Sequence, residues 1–152
     1  MIQASVALTQ TSGTGRQFVV TTGTGHHVII DDAVGATGPK PIELVAAALA
    51  GCTAFDVINI LRKKRQNVTA YEVHVEADQA PEPPQVFTRV RIRHILTGVD
   101  VDREAVAAAI HLSESKYCSV GAMVQKSAEF TTSFEIIPAH VAELVAAGVH
   151  GQ

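Results

Sequence analysis

Pro41-Ile42-Glu43-Leu44-Val45-Ala46-Ala47-Ala48-Leu49-Ala50-Gly51-Cys52-Thr53-Ala54-Phe55-Asp56-Val57-Ile58-Asn59-Ile60-Leu61-Arg62-Lys63-Lys64 is the stretch on which the fold turns. Pro41 suits the first turn of a helix, where a missing N–H leaves no bond unmade. Arg62, Lys63, Lys64 and the following Arg65 suit the negative end of a helix dipole. The spacing predicts one helix from Pro41 to about Lys64, about 35 Å long. Its first two-thirds is apolar all round, from Leu44 and Val45 through Leu49 to Phe55, Val57 and Ile58. Such a helix has to be covered on every side. Ala46, Ala47, Ala50 and Gly51 are small enough to admit another backbone closely. One chain of 152 residues encloses this helix with difficulty, and a second subunit would complete the cover. Residues 42–61 nearly match a membrane span, but Glu43, Asp56 and Asn59 count against one. A carboxylate near the bilayer centre costs about 2.5–3.5 kcal/mol. A buried helix and no membrane partner are therefore expected.

Composition frames the rest. With 47% hydrophobic and 18% charged residues the chain is expected to fold as a single domain over 1–152. A net charge of −3 gives no electrostatic case for nucleic acid. The first residues, Met1 to Val6, carry no basic region before an apolar run, so no export signal is expected. The expected compartment is cytoplasmic, a reducing medium in which a permanent disulfide is disfavoured.

Around the long helix the pattern is mostly that of strands. Ser5 to Thr11 alternates weakly, and Gln17–Thr22 and His26–Asp31 read as a hairpin about Gly23-Thr24-Gly25. In 71–78 the residues Glu72, His74, Glu76 and Asp78 share one face. In 86–96 Arg89, Arg91 and Arg93 do the same. Paired antiparallel, the two stripes would meet as cross-strand ion pairs, a plainer reading of the arginines than an anion site. Asp102 is placed to cap a helix to Leu112, and Ser115 to cap another with Cys118 in its first turn. Phe130–Ile136 alternates as a last strand, and 139–152 reads as a helical tail. This order is not an alternating βαβ pattern; it predicts an α+β fold with antiparallel sheets around a long buried central helix.

The chemistry rests on two thiols, Cys52 and Cys118, 66 residues apart. A first-turn position and the neighbouring Lys116 would lower the Cys118 pKa, whereas Cys52 in a helix interior would need tertiary neighbours to activate it. On residues alone, two inert buried thiols stay open beside a nucleophile with its resolving partner. A zinc site would need Cys52, Cys118 and a histidine, and no closely spaced Cys or His pair supports one. Asp56, four residues after Cys52, shares its helix face, where pairing with Arg or Lys is the ordinary role. No metal and no cofactor are expected.

Gly38-Pro39-Lys40-Pro41-Ile42-Glu43-Leu44-Val45, with Ala-Gly-Cys52-Thr53-Ala54 after it, resembles the first-cysteine helix of the OsmC/Ohr family, the osmotically induced and organic hydroperoxide resistance proteins. Phe87-Thr88, Leu112-Ser113 and Lys116-Tyr117-Cys118-Ser119-Val120 resemble a less characterised OsmC-like branch of it. The likeness covers roughly residues 15–137, and two cysteine motifs at matching places make it specific. It implies an OsmC-like, intertwined homodimer with its active sites at the interface. It implies a thiol-dependent peroxidase for organic hydroperoxides. Cys52 would become a sulfenic acid, Cys118 would resolve it as a disulfide, and a dithiol such as a lipoyl protein would reduce the pair.

Three positions depart from the peroxidase pattern. Ile42 stands where those members place Glu, with Glu43 one residue on, a rotation of about 100° along the helix. Arg16 and Lys40 are the cations before Arg62, which makes Arg16 the candidate to hold thiolate and peroxide. Cys118 is followed by Ser119 and not proline. The candidate catalytic residues are thus Cys52, Cys118, Arg16 and Glu43. Two other readings accompany the peroxidase: a non-enzymatic dimer binding a small or fatty ligand, and a redox-sensing thiol pair.

Overall fold

The computed structural model describes residues 1–9 and 13–142. The backbone forms two compact units, Met1–Val45 and Ala46–Gln152.

The first unit is an antiparallel sheet of β1 (Ala4–Leu8), β2 (Phe18–Thr22) and β3 (His27–Ile30), in that order. The Gly23-Thr24-Gly25 turn joins β2 to β3. Gly25, at φ +83°, adopts a backbone conformation that a side chain would strain, and its N–H donates to Thr22 O at 2.9 Å. No residue of β1 is buried, and its Val6 is 60% exposed. The loop after β3 is fastened by buried polar groups: Gln17 Nε2 donates to Thr37 Oγ1 at 2.5 Å, and that hydroxyl donates to Asp31 Oδ2 at 2.5 Å. Gly38 passes so close to β3 that a Cβ would sit 2.5 Å from Ile29 O. These ties fix the path by which the chain enters its long helix.

That helix, α1 (Pro41–Lys63), runs on into the second unit. There follow β4 (Asn67–Gln79), β5 (Phe87–Val99), α2 (Arg103–Leu112), a π-helical turn (Ser113–Tyr117), α3 (Ser119–Val124) and β6 (Glu129–Pro138). Residues 139–142 are helical, and the remainder of the expected tail lies outside the described residues. The expected pairing of stripes is present. Glu76 faces Arg91 and Asp78 faces Arg89 across β4 and β5. Arg91 Nη1 lies 2.8 Å from Asp78 Oδ2, and its Nε 3.2 Å from Glu76 Oε2. Exposed pairs of this kind contribute about 0–1 kcal/mol each, so they set register more than stability. Asp102 caps α2 as expected, its Oδ1 accepting from Glu104 N–H at 2.9 Å.

One part of the sheet differs from the sequence expectation. β6 pairs with β5 in parallel, from Arg89 opposite Glu129 to Gly98 opposite Pro138. A parallel neighbour needs a helical crossover, and α2, the π turn and α3 supply it. The alternation within β6 gave its two faces but not its direction.

The core of this unit joins Val57 and Leu61 of α1, Leu96 of β5, and Ala105, Val106, Ala109 and Ile110 of α2. By length and composition α1 could cross a membrane, yet Leu49, Thr53, Val57 and Leu61 lie packed inside the protein. They form an i, i+4 stripe. The all-round cover expected for α1 is not reached within one chain: Phe55 is 73% exposed and Val45 is exposed too.

A buried histidine lies against the same core. His94 is 0% exposed, its Nδ1 is 2.7 Å from the Tyr71 hydroxyl, and its Nε2 has no partner among the described residues. Burial lowers its pKa from 6.5 to about 4, because a charged imidazole would lose its hydration. A folded pKa below the unfolded one means that stability is full above about pH 6.5 and is lost as pH falls towards 4. The loss should approach about 3 kcal/mol at the acid end. Urea unfolding at pH 7 and pH 4.5 should show this drop in the wild type and a smaller one in His94→Phe; equal drops would refute the assignment.

Candidate active site

Cys52 lies in the middle of α1, one residue before Thr53, the polar break in the buried apolar stripe. The break is filled from the far side of the crossover. Ser113, fully buried at the end of α2, donates from its hydroxyl to Asp56 Oδ2 at 3.1 Å and hydrogen-bonds with Thr53 Oγ1 at 3.2 Å. From Ser113 the chain widens into the π turn. The Cys118 N–H donates to Ser113 O, five residues back, at 2.8 Å. The extra residue per turn delivers Cys118 to the end of that turn, on the α1 side.

Cys118 does not sit in the first turn of a helix capped by Ser115, as the sequence led one to expect. Ser115 Oγ instead donates to His111 O at 2.6 Å, inside the continuing helix. Cys118 is itself the N-cap of α3, with extended backbone, and its Sγ accepts from Gly121 N–H at 3.2 Å. Gly121 makes room for this: a Cβ there would meet Sγ at 3.2 Å.

The result is a compact cluster. Cys52 Sγ, a carboxylate oxygen of Asp56 and Cys118 Sγ all lie within 4.8 Å of one another. Cys118 is buried, and its pKa is pushed up to about 12. Desolvation is the largest cause, followed by the hydrogen bond with Cys52; the charges of Cys52 and Asp56 add to it, and the Gly121 N–H opposes it. The expected lowering by a helix dipole and Lys116 is therefore overturned. Lys116 Nζ lies over the Tyr117 ring, 5.4 Å from its centroid, and is not among the groups that shift Cys118. At neutral pH Cys118 is a protonated thiol.

The other two candidates belong to the first unit. Arg16 Nε is 2.7 Å from Asp32 Oδ2. Asp32 is held below the usual carboxylate range chiefly by the Gly35 backbone N–H, with Arg16 contributing. Glu43 turns back to its own helix start, where its Oε2 accepts from Lys40 N–H at 2.7 Å and its Oε1 lies 3.9 Å from Lys40 Nζ. Glu43 thus satisfies a backbone donor at the mouth of α1, in the manner of a capping box. The carboxylate beside Arg16 is Asp32.

The same three donors define what a metal could use. Zinc binds sulfur at about 2.3 Å and carboxylate oxygen at about 2.0–2.2 Å, so the cluster would have to contract around it. Among the described residues the set is Cys52, Asp56 and Cys118, with Asp56 where a histidine was considered. Sequence reasoning assigned Asp56 an ordinary ion pair and gave Ser113 and Gly121 no role. The four-residue step from Cys52 to Asp56 was the one available signal; the meeting with Ser113 depends on tertiary structure.

Comparison with known proteins agrees with this architecture. Protein YhfA of Escherichia coli strain K12 is 39% identical over 125 residues, 82% of this chain and 93% of its own. The crystal structure of a hypothetical protein from Aquifex aeolicus VF5 superposes with a TM-score of 0.80 at 26% identity, covering 91% of this chain and 97% of that one. OhrB of Bacillus subtilis, an organic hydroperoxide resistance protein, shares the fold at a TM-score of 0.59 and 16% identity, over 89% and 98% of the two chains. Residues 34–133, which hold both cysteines, match the model of the OsmC-like protein family, and the chain belongs to that family.

Proposed function

We propose that this protein is a thiol-dependent peroxidase that reduces organic hydroperoxides and is recycled by a dithiol such as a lipoyl protein. The observation that carries the reading is the approach of the two sulfurs to within 4.8 Å from positions 66 residues apart. Inert core thiols gain nothing from such a meeting, whereas a nucleophile and its resolver require it. The asymmetry of the pair supports one division of roles. Cys118 is buried and held protonated, while Cys52 is only half-buried, so Cys52 is the sulfur that meets the peroxide. Its attack on the peroxide oxygen releases an alcohol and leaves a sulfenic acid. Cys118 then closes the disulfide.

Cys52→Ser should abolish consumption of cumene hydroperoxide in the presence of dihydrolipoamide. Cys118→Ser should consume about one equivalent and accumulate a dione-trappable sulfenic acid at Cys52. A wild type that consumes no organic hydroperoxide with any dithiol would defeat the reading.

Arg16 is the cation we assign to the thiolate, with Asp32 fixing its guanidinium and Glu43 ordering the helix start. Arg16→Ala should slow formation of the Cys52 sulfenic acid by about 10–100-fold and leave unfolding unchanged. Stopped-flow measurement of the first turnover would check this, and an unaltered rate would remove Arg16 from the site.

We further propose that the working form is a cytoplasmic homodimer. Phe55 at 73% exposure, the exposed Val45, and the uncovered β1 residues Val6 and Leu8 support this. Burial of apolar surface is the main favourable term in association. Beside Phe55 a cavity of about 340 Å³ runs between α1 and β4, lined by Gly51, Ala54, Ile58, Val68 and Tyr71 among others. This space also favours the second reading, a dimer with an apolar ligand, which native mass spectrometry would reveal. Sedimentation at micromolar concentration should give a mass near twice the 16.1 kDa chain, and Phe55→Glu should shift it towards one chain. A wild-type monomer would refute the dimer.

A further inference from the structure

We propose that Asp56 is the proton acceptor for Cys118 in the step that closes the Cys52–Cys118 disulfide. The inference rests on the reading of Cys118 as the resolving thiol, and not on the nature of the oxidant.

The resolving step needs a base. A thiol attacks sulfur as its thiolate, and Cys118 is buried, so desolvation is the largest cause holding its proton on, with the Asp56 charge adding to it. Left alone it would stay protonated at neutral pH. Asp56 lies one helical turn beyond Cys52, and its carboxylate oxygen is within 4.8 Å of both sulfurs. A small rotation, or one bridging water, brings that oxygen within proton-transfer reach. The carboxylate is held by the hydroxyl of Ser113, its one hydrogen-bond donor among the described residues. An ionised carboxylate accepts through about four lone-pair sites, so it has capacity to spare. Away from the sulfurs, Asp56 lines a cavity of about 360 Å³ with Lys63, Lys64 and Tyr117, which opens a route for the proton to water. The titratable groups around Asp56 are thus Cys52 and Lys63 on its own helix, Lys64 just beyond the helix end, Tyr117 of the π turn, and Cys118.

The step balances as follows. Cys118 Sγ attacks Cys52 Sγ, its proton passing to Asp56. The S–S bond forms as the S–O bond of the sulfenic acid breaks, and the departing hydroxide takes that proton from Asp56 and leaves as water, restoring the carboxylate. The Cys118 sulfur is oxidised and the Cys52 sulfur is reduced by the same amount.

Asp56 has a second effect of opposite sign, and this makes the test sharp. Its negative charge raises the Cys118 pKa. An aspartate acting through its field alone would hinder resolution, and its removal would speed the step. An aspartate acting as base would slow the step on removal.

The reduced full-length protein is mixed with a chromogenic aromatic disulfide. The first chromophore released reports attack by Cys52, and the second reports attack by Cys118 on the mixed disulfide. Cys118→Ser should release one equivalent and stop. In Asp56→Asn the second release should slow by about 100-fold relative to the first. Its rate should then climb about tenfold per pH unit, because solvent hydroxide must now remove the proton. Asp56→Glu should recover a large part of the rate and the shallow wild-type pH slope. A second release in Asp56→Asn as fast as wild type, or faster, overturns the proposal. If Asp56→Asn does not fold, the wild type alone decides: a second phase that itself climbs tenfold per pH unit between about pH 6 and 8 overturns the proposal. A wild type that resolves the mixed disulfide yet consumes no organic hydroperoxide would end the peroxidase reading and leave the role of Asp56 standing.

Discussion

The Ser113 hydroxyl, set between Thr53 and the Asp56 carboxylate, is the contact on which the site depends. Polar groups taken out of water destabilise a fold unless they are hydrogen-bonded, by about 1–3 kcal/mol each. Thr53 interrupts an otherwise apolar stripe on α1, and Asp56 follows it within a turn. Ser113 answers both, and by doing so docks the end of α2 at one height along α1. The π turn then starts from a fixed point, and Cys118 arrives at the α1 surface. Had Thr53 and Ser113 been aliphatic, only the apolar core of Val57, Leu61, Val106, Ala109 and Ile110 would set that height, with no directional bond beside the sulfurs.

Much of this was legible in the chain. The long helix announced itself through Pro41 and its terminal cations, and the facing of Glu76 and Asp78 towards Arg91 and Arg89 followed from period-two alternation. Asp102 was recognisable as a cap because capping is a local event. What failed was what local sequence does not encode. Strand direction is set by the connection, so the parallel pairing of β6 with β5 was out of reach. The π turn rests on one backbone hydrogen bond from Cys118 to Ser113, and Ser115 offered a plausible cap in the wrong register. The Cys118 pKa moves opposite to the sequence expectation for the same reason: a dipole and a nearby lysine are visible in sequence, whereas burial and the hydrogen bond with Cys52 are not. The meeting of the thiols was implied only by resemblance to the OsmC/Ohr proteins, and Asp56 at their side was not foreseen.

The departures from the peroxidase pattern acquire a physical meaning here. Shifting the glutamate from position 42 to 43 leaves a carboxylate that closes the start of its own helix over Lys40. Asp32 stands beside Arg16 within the first unit. The carboxylate next to the thiols is Asp56, from the helix that carries Cys52. In this chain the acid beside the two sulfurs is thus supplied by the cysteine's own helix, and its charge raises the Cys118 pKa.

The proposed Cys52–Cys118 disulfide would close a long stretch of chain. A covalent link across 66 residues removes about 4 kcal/mol of conformational freedom from the unfolded ensemble on chain-entropy grounds, a large share of the 5–15 kcal/mol that typically separates folded from unfolded domains. The oxidised chain would then resist unfolding more strongly than the reduced one. A cell under peroxide stress would hold this protein in its more durable form, and reduction by a dithiol would return it to the state more open to chaperones and proteases. Its lifetime would follow the redox state of its surroundings without any separate sensor.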